Sequence, residues 1–110
     1  REGFPAAVLV RALEPLEGLA SMRERRGSVG ARGETELTSG PGRLCQALAL
    51  ARGHDGIDLC APDSALLLEP GEPVGAWAVA AGPRVNVRGN RAAVQAPWRF
   101  RIDGNPHVSR

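Results

Sequence analysis

The sequence predicts an α+β fold, and three observations lead there. The stretch "PWRFRI", Pro97–Ile102, alternates apolar and basic residues as a strand with one covered face does. Two other segments carry apolar residues at helical spacing behind a proline, which suits the first turn of a helix and not its interior. Strand-like and helix-like pieces also follow one another without the regular repeat of a strand–helix–strand fold.

From the N-terminal side, Val8, Leu9 and Val10 form a continuous apolar run, and Phe4–Leu13 reads as a buried strand. Arg11 sits at its exit. Such a residue either lays its stem along apolar surface with its head in water or points into a site, and local sequence favours the first. Pro15 and Glu17 suit a first helical turn, Leu16, Leu19 and Met22 make one apolar stripe, and Arg23, Arg25 and Arg26 lead to a closing Gly27. Ser28–Glu36, with Gly30 and Gly33 and no periodicity, reads as a loop.

The segment "LTSGPGRLCQALAL", Leu37–Leu50, predicts a second helix. Thr38 or Ser39 caps it, Pro41 takes its first turn, Leu44, Ala47, Leu48 and Ala51 face the core, and Gly53 ends it. Ile57, Leu59 and Leu66–Leu68 are short apolar pieces separated by Pro62 and followed by "EPGEP", Glu69–Pro73. Val74–Val87 reads as a strand broken at Gly82 and Pro83 and resuming at Val85. Pro97–Ile102 is the next, with Trp98, Phe100 and Ile102 on one face and Arg99 and Arg101 on the other. "DGNPHVS", Asp103–Ser109, then turns the chain.

The 110 residues suit one domain of modest size. No apolar stretch approaches the roughly 20 residues of a membrane span, and none reads as a secretory signal. The first residue is Arg1 and the only methionine is Met22, so the chain is expected to be a piece of a longer translation product. Cys45 and Cys60 form no Cys-x-x-Cys pair and have no histidine cluster nearby. They predict neither zinc nor a disulfide framework, and read as buried thiols of a reducing cytosol. The net charge is +2, and all 14 basic residues are arginine. With abundant Ala, Gly and Pro, this points to a GC-rich coding bias and weakens charge alone as an argument for nucleic acid. Arginines cluster at Arg23, Arg25, Arg26 and Arg32, and at Arg84, Arg88, Arg91, Arg99 and Arg101. A solvated face is the simpler account of either cluster.

Two stretches have chemical interest of their own. Ser39-Gly40-Pro41-Gly42-Arg43 opens a helix with small residues and one cation, an arrangement able to hold a phosphate, with an ordinary glycine–proline cap as the plain alternative. It is too short for a nucleotide P-loop. "GPRVNVRGN", Gly82–Asn90, interrupts a strand and leaves carbonyls open to a water or a base edge; a bulged edge strand is the plain account. No metal site and no hydrolytic base is marked. His54 and His107 lie apart beside turn residues and read as surface histidines. Glu14 and Glu17 read as helix-start carboxylates, and Ser64 and Ser109 have no assembled partners for nucleophilic chemistry.

Taken together and in order, "VLVRALEPLEGLASMRERRG", "LTSGPGRLCQALAL", "DGIDLC", "PRVNV", "PWRFRI" and "GNPHVS" resemble the alkyladenine (3-methyladenine) DNA glycosylase family from about Ala7 to Ser109. "RALEPLEG" followed by "GPGRLCQAL" is the most specific part. The resemblance implies that residues 1–110 are the C-terminal part of a single methylpurine-DNA glycosylase domain. Its fold would be a mixed, mostly antiparallel, curved β-sheet with flanking helices, incomplete at the N-terminus. The implied activity is hydrolysis of the N-glycosidic bond of alkylated purines in duplex DNA after base flipping, without metal or organic cofactor. In the family, the preceding half carries the water-activating glutamate, the aromatics that stack on the flipped base and the wedge into the duplex. This chain lacks them and has no tyrosine, so by itself it is expected to be inactive.

Residue by residue, the resemblance makes Arg11 the arginine that helps position the catalytic water and Val85 the residue whose backbone carbonyl also holds it. Arg43 and Arg52 match basic positions near DNA phosphates, beside the small residues Gly40 and Gly42; such contacts set affinity and register rather than sequence choice. Asn86 departs from the pattern, since a small residue usually follows the position of Val85, and it bears on the base pocket. The implied protein is a monomer in the bacterial cytoplasm, neither secreted nor membrane-bound, with double-stranded DNA as its partner. Two other accounts remain: a non-catalytic DNA-binding remnant of the same family, and an unrelated arginine-rich nucleic-acid-binding domain.

Overall fold

The computed structural model describes residues 3–27 and 33–108 and divides the chain into two units, Arg1–Ile57 with Pro106–Arg110, and Asp58–Asn105. Of the expected loop, 28–32 lie outside the described residues, as do Arg32 of the first basic cluster and Ser109.

The first unit is built on two short helices, α1 (Leu19–Arg26) and α2 (Pro41–Ala47). α1 begins later than Pro15 and Glu17 suggest. Gly18, with φ 74°, takes a left-handed conformation that separates the proline turn from the helix, and Gly18 O accepts the Met22 N–H at 3.0 Å. Gly27 closes the helix as expected, at φ 75° and donating to the carbonyls of Arg23 and Glu24. The basic end of α1 meets the end of α2. Arg25 Nη1 donates to the backbone carbonyl of Ala47 at 2.9 Å, giving the last carbonyl of α2 a partner from α1, and Arg26 Nη1 donates to the side-chain Oε1 of Gln46 at 3.0 Å. A 3₁₀ turn, Gly33–Glu36, leads into α2, and Arg23 pairs with Glu34.

α2 keeps Pro41 in its first turn but has no side-chain cap. Its N-cap is Gly40, at φ 152° and ψ 154°, a conformation essentially reserved to glycine. Thr38 and Ser39 are buried instead. With Leu37, Leu44 and Ala47 they are the whole buried set among the described residues. The helix stops at Ala47, well before Gly53, so Ala51 is exposed and Leu48 only half-buried. Cys45 faces away from the Leu44–Ala47 stripe, and both it and Cys60 are exposed thiols rather than buried ones.

The apolar run before α1 departs most from expectation. No strand is assigned over 4–13, and Val8 is 92% exposed. A strand buried on both faces needs neighbours in the sheet and layers above and below it. The described pairing is at its exit, where the Leu13 N–H donates to Thr38 O at 3.3 Å and the Thr38 hydroxyl donates to Leu13 O at 2.5 Å. His107, expected at the surface, keeps only 16% of its side chain exposed, and its Nε2 lies 3.6 Å from Glu14 Oε1. Glu14 is not at a helix start, since α1 begins at Leu19.

The second unit holds one antiparallel pair, β1 (Val79–Gly82) and β2 (Arg99–Ile102), with Val79 opposite Ile102 and Gly82 opposite Arg99. The α+β class stands, with three helices and this two-stranded sheet among the described residues. The long strand expected over Val74–Val87 is shorter: a 3₁₀ turn, Ala76–Ala78, precedes β1, and Pro83 ends it. In β2 the alternation holds but its exposure is reversed. Arg99 and Arg101 are half-buried opposite Gly82 and Ala80, whose small size leaves room for the arginine stems. Phe100, 62% exposed, shares the open face with Val79, Ala81 and Ile102. A third helix, α3 (Arg91–Gln95), fills the stretch between, capped by Asn90 Oδ1 accepting from Ala93 N at 2.8 Å. No described residue of this unit is buried.

Candidate functional site

Five of the seven residues singled out from the sequence lie in the first unit: Arg11, Gly40, Gly42, Arg43 and Arg52. Val85 and Asn86 lie in the second, and the two sets are considered separately.

In the first unit the buried tripeptide Leu37-Thr38-Ser39 is the joint. On one side Thr38 holds Leu13 by the two hydrogen bonds given above, two residues beyond the half-buried Arg11. On the other side Ser39 Oγ accepts from Arg43 Nη1 at 2.9 Å, which draws the guanidinium back over the start of α2. Gly40 and Gly42 flank Pro41, and a Cβ added at either would meet nothing within 4 Å. Backbone N–H groups of this first turn are thus uncrowded beside one oriented cation, an arrangement able to hold an anion. Arg52 is apart from this joint, exposed in a 3₁₀ turn, Arg52–His54. There His54 Nδ1 accepts the Ala51 N–H at 3.1 Å.

In the second unit Val85 follows Pro83 and Arg84 outside any strand. Among the described residues no hydrogen bond ends on the Val85 carbonyl, so that oxygen is open to a donor. Asn86 stands at φ 55° and is exposed. Asparagine is among the few side chains that tolerate this left-handed conformation, so its presence where a small residue is usual has a backbone reason. Arg84, next to it, reaches away: Nη2 donates to Ala93 O at 3.1 Å, and its guanidinium lies 5.0 Å from the centroid of the Trp98 ring. The sequence reading missed α3. Asn90 followed by an alanine-rich stretch was its signal.

Among the described residues no group of three or more His, Cys, Asp and Glu gathers as metal ligands do, and no helix is long and apolar enough to cross a membrane.

The model of the methylpurine-DNA glycosylase family (MPG) matches residues 1–106. A protein of Rhodopseudomonas palustris (strain HaA2) named "Putative 3-methyladenine DNA glycosylase" is 43% identical over 108 residues, covering 98% of this chain and 49% of its own length. Proteins of the same name from Streptomyces avermitilis and Anaeromyxobacter dehalogenans are 46% and 44% identical, with 49% and 44% of their lengths covered. The chain thus spans about half the length of the curated relatives it matches. Matched over nearly all of its residues, the chain belongs to the methylpurine-DNA glycosylase family.

Proposed function

We propose that this chain supplies part of a DNA repair glycosylase that hydrolyses the N-glycosidic bond of alkylated purines, of the 3-methyladenine type, in duplex DNA. The nucleotide is flipped from the stack, at a cost of about a few kcal/mol that is least for a damaged, poorly paired base. Water then bonds to the anomeric carbon of the sugar, the C–N electron pair leaves with the purine, and the proton of the water passes to a carboxylate. That carboxylate comes from polypeptide outside these 110 residues, so the chain alone does not turn over. Arg11 takes the role of orienting the water, and the Val85 carbonyl that of accepting a hydrogen bond from it. Arg43 and Arg52, with the open backbone at Gly40 and Gly42, take phosphate oxygens. Asn86 borders the base. No metal or organic cofactor takes part.

The observation that carries this reading is the Leu13–Thr38 pairing, which seats the segment bearing Arg11 against the turn bearing Arg43. Exposed apolar surface supports it too. Phe4, Val8 and Leu9 are exposed in the first unit and the Phe100 face is open in the second, apolar surface of the kind that further polypeptide of the complete domain would cover. The complete protein is then a cytoplasmic monomer.

The test is reconstitution. The 110-residue chain is mixed with the other half of the Streptomyces avermitilis relative, and release of 3-methyladenine from an alkylated duplex is followed. Excision only by the mixture is expected. Excision by the chain alone overturns the external carboxylate. A mixture that binds duplex DNA and excises nothing favours the second reading, a non-catalytic DNA-binding remnant, which the missing base and stacking aromatics make the natural rival. Binding without preference for alkylated or abasic DNA, and with steep salt dependence, favours a general arginine-rich module.

A further inference from the structure

We infer that Thr38 and Ser39 are two positioning residues with separable duties. Thr38 sets the water-orienting arginine, and Ser39 sets the phosphate-contacting one. The inference rests on the reading above and deepens it.

Both side chains are polar and both are buried, at 1% and 2% exposure, where only three apolar residues are buried among the described ones. Burying a hydroxyl is unfavourable unless it is hydrogen-bonded, and each of these has a specific partner. The Thr38 hydroxyl donates to Leu13 O while the Thr38 carbonyl accepts the Leu13 N–H. Leu13 is thereby held on both of its backbone polar groups by one residue. Fixing Leu13 at both of its backbone polar groups anchors the chain two residues beyond Arg11, and so limits where that side chain can reach. Ser39 makes no described hydrogen bond to that segment. Its Oγ accepts from Arg43 Nη1 four residues ahead, which holds a long, rotamer-rich side chain that would otherwise be ordered only on binding DNA. The neighbours therefore face two ways: one reaches back across 25 residues of sequence, the other forward by four.

The two duties predict a split between chemistry and binding. Thr38→Val keeps the shape and removes the hydroxyl. In the reconstituted pair it should slow single-turnover excision tenfold or more, while duplex affinity stays within about twofold, less than one net hydrogen bond is worth. Thr38→Ser should restore excision. Ser39→Ala should weaken duplex affinity of the 110-residue chain about fivefold, the equivalent of one net hydrogen bond, and leave single-turnover excision at saturating enzyme unchanged. Amide hydrogen exchange on the chain alone separates this from simple misfolding: Thr38→Val should speed exchange at Leu13 and leave Leu44 and Leu48 of α2 protected. Equal losses of affinity and excision in both variants overturn the inference, as does exchange at Leu13 that ignores the hydroxyl. A wild-type pair without excision overturns the proposed function instead, and the Ser39→Ala affinity and Leu13 exchange then decide this one.

Discussion

Replacing Gly40 and Gly42 in turn by alanine should move α2 in opposite directions, although neither added methyl group meets anything within 4 Å. The difference lies in the backbone. Gly40 stands at φ 152° and ψ 154°, where a Cβ is not tolerated, and holding such a conformation costs about 1–3 kcal/mol. Gly42 lies inside the helix, without a positive φ, and alanine there gains about 0.5–1 kcal/mol. The local readout is amide exchange at Leu44, which donates to Gly40 O at 2.8 Å, and at Leu48, which donates to Leu44 O at 3.0 Å. Gly40→Ala should lower their protection by about fivefold to a hundredfold, and Gly42→Ala should raise it by about two- to fivefold. A uniform effect of both substitutions, in either direction, would refute the reasoning. The second substitution also bears on function. If a phosphate approaches the first turn closely, Gly42→Ala should lose duplex affinity while gaining helix stability, an outcome that packing alone does not produce.

Other substitutions test other parts of the description. Leu44→Ala removes one of the three buried apolar side chains among the described residues and should cost about 2–5 kcal/mol, whereas Phe100→Ser on the open sheet face should change the stability of the chain by less than about 0.5 kcal/mol; denaturant titration of the two compares them. Asn90→Ala removes the α3 cap and should cost about 1 kcal/mol, read as faster exchange at Ala93. Arg43→Ala and Arg52→Ala should each weaken duplex binding across all sequences and lower the salt slope by about one, as loss of one phosphate contact does. A slope left unchanged by both would remove these arginines from the interface.

What the sequence made legible follows from how local each signal is. Pro41 in a first turn, Gly27 as a stop, the Leu44–Ala47 stripe and the alternation of Arg99–Ile102 depend on neighbours in sequence, and all appear in the fold. The misreadings come where an apolar run was equated with burial. Val8, Leu9 and Val10 need sheet neighbours and a covering layer that the described residues do not supply. The reversed exposure of β2 has the same origin, for without a layer over Phe100 and Ile102 the arginine stems become the better-covered face. Ser and Thr before a helix usually cap it, which makes Thr38 a candidate cap from local sequence. Its true partner, Leu13, lies too far along the chain for any local pattern to reveal. The sequence offers Asn86 only as a side chain, while its left-handed φ gives it a reason in the backbone.

The joint at Thr38 also bears on the order of folding. Closing the loop from Leu13 to Thr38 directly means ordering everything between them for two hydrogen bonds. Once Arg25 and Arg26 have brought α1 against the end of α2, only the short stretches from Leu13 to Leu19 and from Thr38 to Pro41 remain to be closed. The pair of helices should therefore form first and the Arg11 segment dock onto it last, so that this segment is also the first to be released when the chain opens locally.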